Sequence, residues 1–149
     1  MRNLFFSGAL LTTSSFVFAN TTHLSCNVSG STQINLEKEI HKPSQITVTI
    51  MQHPKSLIII IDGDDNYLAS ASTAPLPNSE ITNLSDESKF YLINSRNINS
   101  GPIKLASTTI NINRITGLIS VSKQFSHRSG SESNSSYSGM FSKVSGKKF

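Results

Sequence analysis

The chain has 149 residues, a length that fits one compact domain and excludes a two-domain enzyme. Charged residues make up 15% of it against a usual share of about 25%, so its solubility rests on abundant Ser, Thr and Asn, the composition of an exported β protein. The formal net charge is +4, and a chain of this size buries roughly two thirds of its unfolded surface, enough for a core without metal or disulfide staples.

The amino terminus reads as a targeting segment. Met1-Arg2-Asn3 is a short positive start, residues 4–11 are mostly apolar, and Val17-Phe18-Ala19 places small or medium residues where signal peptidase cuts. The expected division is a signal peptide over 1–19, cleaved after Ala19, and one all-β domain over 20–149. A lipoprotein reading of Leu24-Ser25-Cys26 fails on spacing, because mostly polar residues separate Cys26 from the apolar segment. No later stretch is long enough to span a bilayer, so the mature chain is expected to be soluble, in the periplasm or secreted, with no stable membrane insertion.

From residue 20 onward a period of two dominates. Residues 23–29 and 32–39 read as two strands. In 45–51, Ile46, Val48 and Ile50 share one face and Thr47, Thr49 and Met51 the other, a half-buried strand rich in β-branched residues. The unbroken apolar run 57–61 predicts a strand covered on both faces or crossing the centre of a closed sheet, ended by Asp62-Gly63 and partnered by 66–71. Residues 73–88, with Pro75 and Pro77, read as a surface connection, and 81–90 is the one window where a helical turn could form. Strands follow over 89–94, 105–113, 118–125 and 136–144, with serine-rich 126–138 as a mobile loop.

Eight or nine short strands and no convincing helix predict an antiparallel all-β fold: a small closed or nearly closed barrel, with a β-sandwich as the alternative. Closure is preferred because it removes exposed edges. The expected core is Ile46, Val48, Ile50, Ile59, Ile110, Ile112, Ile119 and Val121. In Ile112-Asn113-Arg114-Ile115-Thr116-Gly117-Leu118-Ile119, Gly117 is suited to the positive φ of a bulge closing a hairpin.

Residues 62–87 hold six acids and no base, whereas both flanks are basic. The bases are scattered singly with few aromatic neighbours, which argues against a nucleic-acid surface. Asp62, Asp64 and Asp65 suggest a calcium loop, but Tyr67 and Thr73 stand where an EF-hand needs Gly and Glu, so a solvated acidic turn is expected. His23, His41, His53 and His127 lack metal-ligand spacing and read as surface histidines; no metal or other cofactor is expected. His23 and Cys26 lie close enough for a thiol and its base, yet no oxyanion donor or orienting group accompanies them, and a core thiol is the simpler reading. No nucleophile elbow or phosphate loop occurs. The Asn-x-Ser/Thr triplets at Asn20, Asn27, Asn83 and Asn134 are read as chance in a Ser-rich chain.

One unpaired cysteine is unusual for an exported chain. Early Leu24-Ser25-Cys26-Asn27-Val28-Ser29-Gly30, late Asn113-Arg114-Ile115-Thr116-Gly117 and closing Gly139-Met140-Phe141-Ser142-Lys143-Val144, followed by Lys147-Lys148-Phe149, carry a resemblance. With the signal peptide, this layout resembles a group of small, uncharacterised exported β-barrel-like proteins of proteobacteria, whose closing segment tends to read Gly-x-Cys-x-Lys. Here Phe141 stands at the second cysteine's place. The resemblance implies first and last strands brought together, with Cys26 and Phe141 within bridging reach on one side of the sheet; it implies no activity or binding residues.

The expected function is that of a monomeric, non-enzymatic envelope module binding a small apolar ligand in the barrel mouth or a protein partner. The alternative is an envelope or surface structural subunit that assembles by strand addition.

Overall fold

The computed structural model describes residues 20–141; the expected leader over 1–19 and the terminal segment 142–149 lie outside them. The described chain is all β: β1 (Asn20–Ile34), β2 (Glu37–His53), β3 (Ser56–Asp62), β4 (Ala69–Ser72), β5 (Ser79–Asn83), β6 (Lys89–Asn97), β7 (Ile103–Asn113), β8 (Leu118–His127) and β9 (Glu132–Phe141). They form one antiparallel sheet in the order β4-β3-β2-β1-β9-β8-β7-β6-β5. Two meanders, β1 to β4 and β5 to β9, are thus joined where β1 pairs with β9.

The sheet curls into a nearly closed barrel, with the short strands β4 and β5 at its two edges. Asn94 on β6 bridges the seam. Its amide nitrogen donates to the Ser72 carbonyl at 3.0 Å and its Oδ1 accepts the Ser72 N–H at 3.1 Å. A carboxamide carries the same donor and acceptor as a peptide group, so this side chain takes the place of the missing ladder bonds.

Alternation along the strands sends one set of side chains inward. All eight expected core residues are at most 2% exposed, joined by Leu24, Cys26, Val28, Ile61, Phe90, Leu92 and others that fill the interior. Small residues allow the tight curvature. A Cβ at Gly139 would overlap the Asn27 carbonyl, and one at Gly30 would overlap Tyr137 and the Ser136 carbonyl, so β1 and β9 approach as closely as they do only because these positions lack side chains. The β1–β2 register shifts between Val28 and Gly30, a bulge that bends the same corner.

Several expectations are corrected. Residues 32–39 are not one strand: a turn at Asn35-Leu36, with Asn35 at φ 53°, divides them between β1 and β2. The run in β3 is covered on one face only, with Leu57, Ile59 and Ile61 buried and Ile60 exposed, because the barrel has a single interior. Its partner β4 is shorter than 66–71. The connection 73–88 contains β5, and 81–90 holds strand with no helical turn. Residues 126–138 are largely ladder, reduced to a tight turn between β8 and β9; β9 has partners on both sides, which its serines satisfy through their backbone.

The 113–118 turn is as expected. Gly117 has φ 79°, its N–H donates to the Asn113 carbonyl at 2.9 Å, and Ile112 pairs with Ile119. Asn113 Oδ1 accepts the N–H groups of Ile115 and Thr116 at 2.9 and 2.8 Å, completing the turn.

Candidate binding cleft at the open end of the barrel

The two ends of the barrel differ. After β3 the chain folds back over one end and inserts Tyr67, 1% exposed, into the interior. The Tyr67 hydroxyl donates to the Lys42 carbonyl at 2.6 Å, and the Tyr137 hydroxyl donates to the Tyr67 carbonyl. The two rings meet edge to face at 5.2 Å, and His41 meets Tyr67 in the same manner at 6.0 Å. His41 Nε2 is bonded to Thr32 Oγ1 at 2.7 Å. From β8, Lys123 Nζ donates to the carbonyls of Asn66 and Leu68 at 3.1 and 3.0 Å, holding the fold-back in place. Burial raises the Tyr137 phenol well above its usual range and lowers the Lys123 ammonium. These phenols, the imidazole and the ammonium all have partners, so this end is sealed. His41 is therefore an interior residue and not the surface histidine expected: it pairs with Gly30 across β1 and β2, and its ring packs on Tyr67 and bonds to Thr32.

The other end carries an open cleft of about 570 Å³ between the β2–β3 turn, 52–57, and the loop from β5 to β6, with Thr73, Phe90 and Arg114 completing its lining. One wall is fixed by Leu57, whose N–H donates to Thr73 Oγ1 at 2.8 Å while its carbonyl accepts the Thr73 N–H at 2.9 Å. The facing loop is organised by Asp86. Its Oδ1 accepts the Ser88 hydroxyl at 2.6 Å, the Ser88 N–H at 2.7 Å and the Lys89 N–H at 3.0 Å. These bonds, the Ser88 hydroxyl first, hold the carboxyl below its usual range.

Arg114 lies against that loop. Its N–H donates to the Ser88 carbonyl at 2.7 Å, and its guanidinium rests 4.9 Å from the centre of the buried Phe90 ring. Nε is covered and has no hydrogen-bond partner among the described residues. The one ion pair among the described residues, Lys89 with Asp86 at 4.0 Å, does not involve it. His53, Lys55 and Glu87 are exposed at the rim.

The residues singled out from sequence are not brought together. Asp62 and Asp64 accept the backbone N–H groups of Gly63 and Asn66, both at 3.0 Å, as turn residues do. Among the described residues no cluster of His, Cys, Asp and Glu is arranged to hold a metal, and Asp65 stays exposed beside them. His23 is exposed and bonded to Thr49 Oγ1 at 3.0 Å; His127 closes β8. Cys26 faces the interior while His23 faces out, so they do not form a pair, and burial pushes the thiol up to about 11, the range of an inert core cysteine. Cys26 pairs directly with Phe141 across β1 and β9. The cleft and Arg114 were missed. The available signal was Arg114 itself, the one charged member of the Asn113–Gly117 turn, whose side chain the turn does not use. No family model, curated protein or solved structure matches this chain.

Proposed function

We propose that the protein is an exported, non-enzymatic β module of the cell envelope that binds its ligand or partner in the cleft at the open end of the barrel. The observation that carries this reading is the cleft at the end opposite the Tyr67 fold-back: the interior is filled, and the cleft's volume falls in the range of about 300 to 1,000 Å³ typical of ligand sites. A second depression of about 490 Å³ beside the fold-back, along 60–62 and 68–70, has no basic residue in its lining. The lining supports binding over chemistry, since Asp86 is held ionised by three donors within its own loop and is poorly suited to move protons. The outward faces support a water-exposed module. Asn111, Ser120, Ser136 and Ser138 point out while Ile110, Ile112, Ile119 and Val121 point in, the reverse of a membrane-spanning barrel.

The test is to export the full chain in a bacterial host and measure its native mass and any co-purifying molecule. A monomer carrying a small molecule or partner, released when Ser56→Trp fills the cleft, is the expected result. A second reading, assembly by strand addition, is favoured by one feature: β5 pairs with β6 alone, leaving its outer edge without a strand partner among the described residues. Polymerisation in the native-mass measurement would select that reading and overturn the first.

A further inference from the structure

We propose that the cleft recognises a carboxylate, with Arg114 as the anchor of a small monoanionic ligand whose apolar body lies along Pro54 and Leu57. This rests on the cleft being the binding site.

Three observations converge on Arg114. In the turn that carries it, Asn113 caps the backbone, Thr116 Oγ1 accepts the Leu118 N–H at 3.3 Å and Gly117 supplies the positive φ, so the Arg114 side chain, the one charged group of the turn, has no part in closing it. It is half-buried in the cleft lining, yet among the described residues it makes no side-chain hydrogen bond or ion pair. A half-buried guanidinium with no ion-pair partner in contact among the described residues is unfavourable, and an incoming anion relieves that cost. Third, contact with the Phe90 face orients the group, while the covered Nε leaves the two terminal nitrogens as its remaining donors. Those nitrogens present parallel N–H bonds that match the two oxygens of a carboxylate.

The rest of the lining sets the charge and shape of the ligand. Arg114 and Lys55 are balanced by Asp86 and Glu87, so the cleft as a whole favours one negative charge over the two of a phosphate monoester. Asp86 is not paired with Arg114: its Oδ1 is taken by Ser88 and Lys89, and its Oδ2 lies 4.0 Å from the Lys89 ammonium. Pro54 and the edge of Leu57 provide an apolar wall opposite the β5–β6 loop.

The experiment is an amide-resolved NMR titration of the exported protein with sodium benzoate and, separately, with benzamide, its neutral isostere. Benzoate should give saturable shifts at Lys55, Ser88 and Arg114, and benzamide should give none at the same concentrations. Arg114→Gln should weaken benzoate binding by about tenfold or more, and Arg114→Lys by nearly as much, because a point charge lacks the fork. Lys104→Ala, remote from the cleft, should leave binding unchanged. The comparison of the two probes on the unaltered protein needs no variant, so a folding defect in Arg114→Gln does not shield the proposal. Benzamide shifting the same amides as strongly as benzoate would overturn carboxylate recognition while leaving the cleft as the binding site. The absence of saturable benzoate shifts in the cleft, or their persistence in Arg114→Gln, would overturn the inference outright; a native ligand mapped outside the cleft would overturn the underlying reading too.

Discussion

Gly117 and Gly139 are both required by the backbone, for different reasons and with different visibility. Gly117 sits at φ 79°, and a Cβ there would lie 3.4 Å from the Phe141 carbonyl oxygen and 3.5 Å from its ring. Gly117→Val should lower stability by about 1 to 3 kcal/mol through backbone strain, with crowding against Phe141 adding to it, read as a lower midpoint in urea at unchanged slope. Gly101 provides the control, since its φ is 80° and nothing lies within 4 Å of its would-be Cβ. Gly101→Val should therefore cost less, and equal losses would refute the part assigned to Phe141. The Gly117 conformation was legible because turn chemistry is local to Asn113-Arg114-Ile115-Thr116-Gly117. The need for Gly139 was not, because it arises from Asn27, which only the β1–β9 pairing brings near.

Between elements, the β1–β9 pairing is the joint on which the barrel depends. Cys26 stands opposite Phe141, and the Phe141 N–H donates instead to Gly117 beside β8 at 3.0 Å. Cys26 and Phe141 are thus a non-hydrogen-bonded pair, in which Cα atoms lie about 4.5 Å apart, inside the range of about 4.4 to 6.8 Å that a disulfide spans. Phe141→Cys should oxidise with Cys26 on export and raise Tm, with a ceiling of about 4 to 5 kcal/mol for so long a loop. Phe141→Ser, which loses the ring without adding a crosslink, should lower it. Two free thiols by mass spectrometry in the folded, exported Phe141→Cys protein would refute the geometry. Strand identity was readable where β-branched residues alternate, as in β2, and only partly readable in β9: the strand expected over 136–144 meets β9 at 136–141, whereas 132–135, with Ser133 and Ser135, carries little hydrophobic signal and is held extended by the flanking strands.

For the whole molecule, closure rests on a seam that no backbone ladder completes. Asn94→Ala removes both bonds to Ser72, and at roughly 0.5 to 1.5 kcal/mol for each net hydrogen bond the loss should reach about 1 to 3 kcal/mol. Faster hydrogen exchange at the Ser72 amide, with far-ultraviolet dichroism unchanged, is the expected signature of a barrel opened at β4 but still folded. Unchanged exchange at Ser72 would show that packing alone holds the seam. The sealed end follows the same logic of distant partners: Tyr67 reaches Lys42, Tyr137 reaches Tyr67, and Lys123 reaches Asn66, contacts that no local pattern announces.

By itself the sequence determined the all-β class, the inward residues from Ile46 to Val121 and the Gly117 hairpin, because period-two burial and turn chemistry act over a few residues. Tertiary structure decided the rest. The strand order, the burial of His41 against Gly30, the Asn94 seam and the placing of Arg114 over Phe90 all depend on segments far apart in the chain. The cleft belongs to this second group. Its lining comes from the β2–β3 turn, Thr73, the β5–β6 loop and the β7–β8 turn, which become neighbours only when the sheet curls and brings its two edges together.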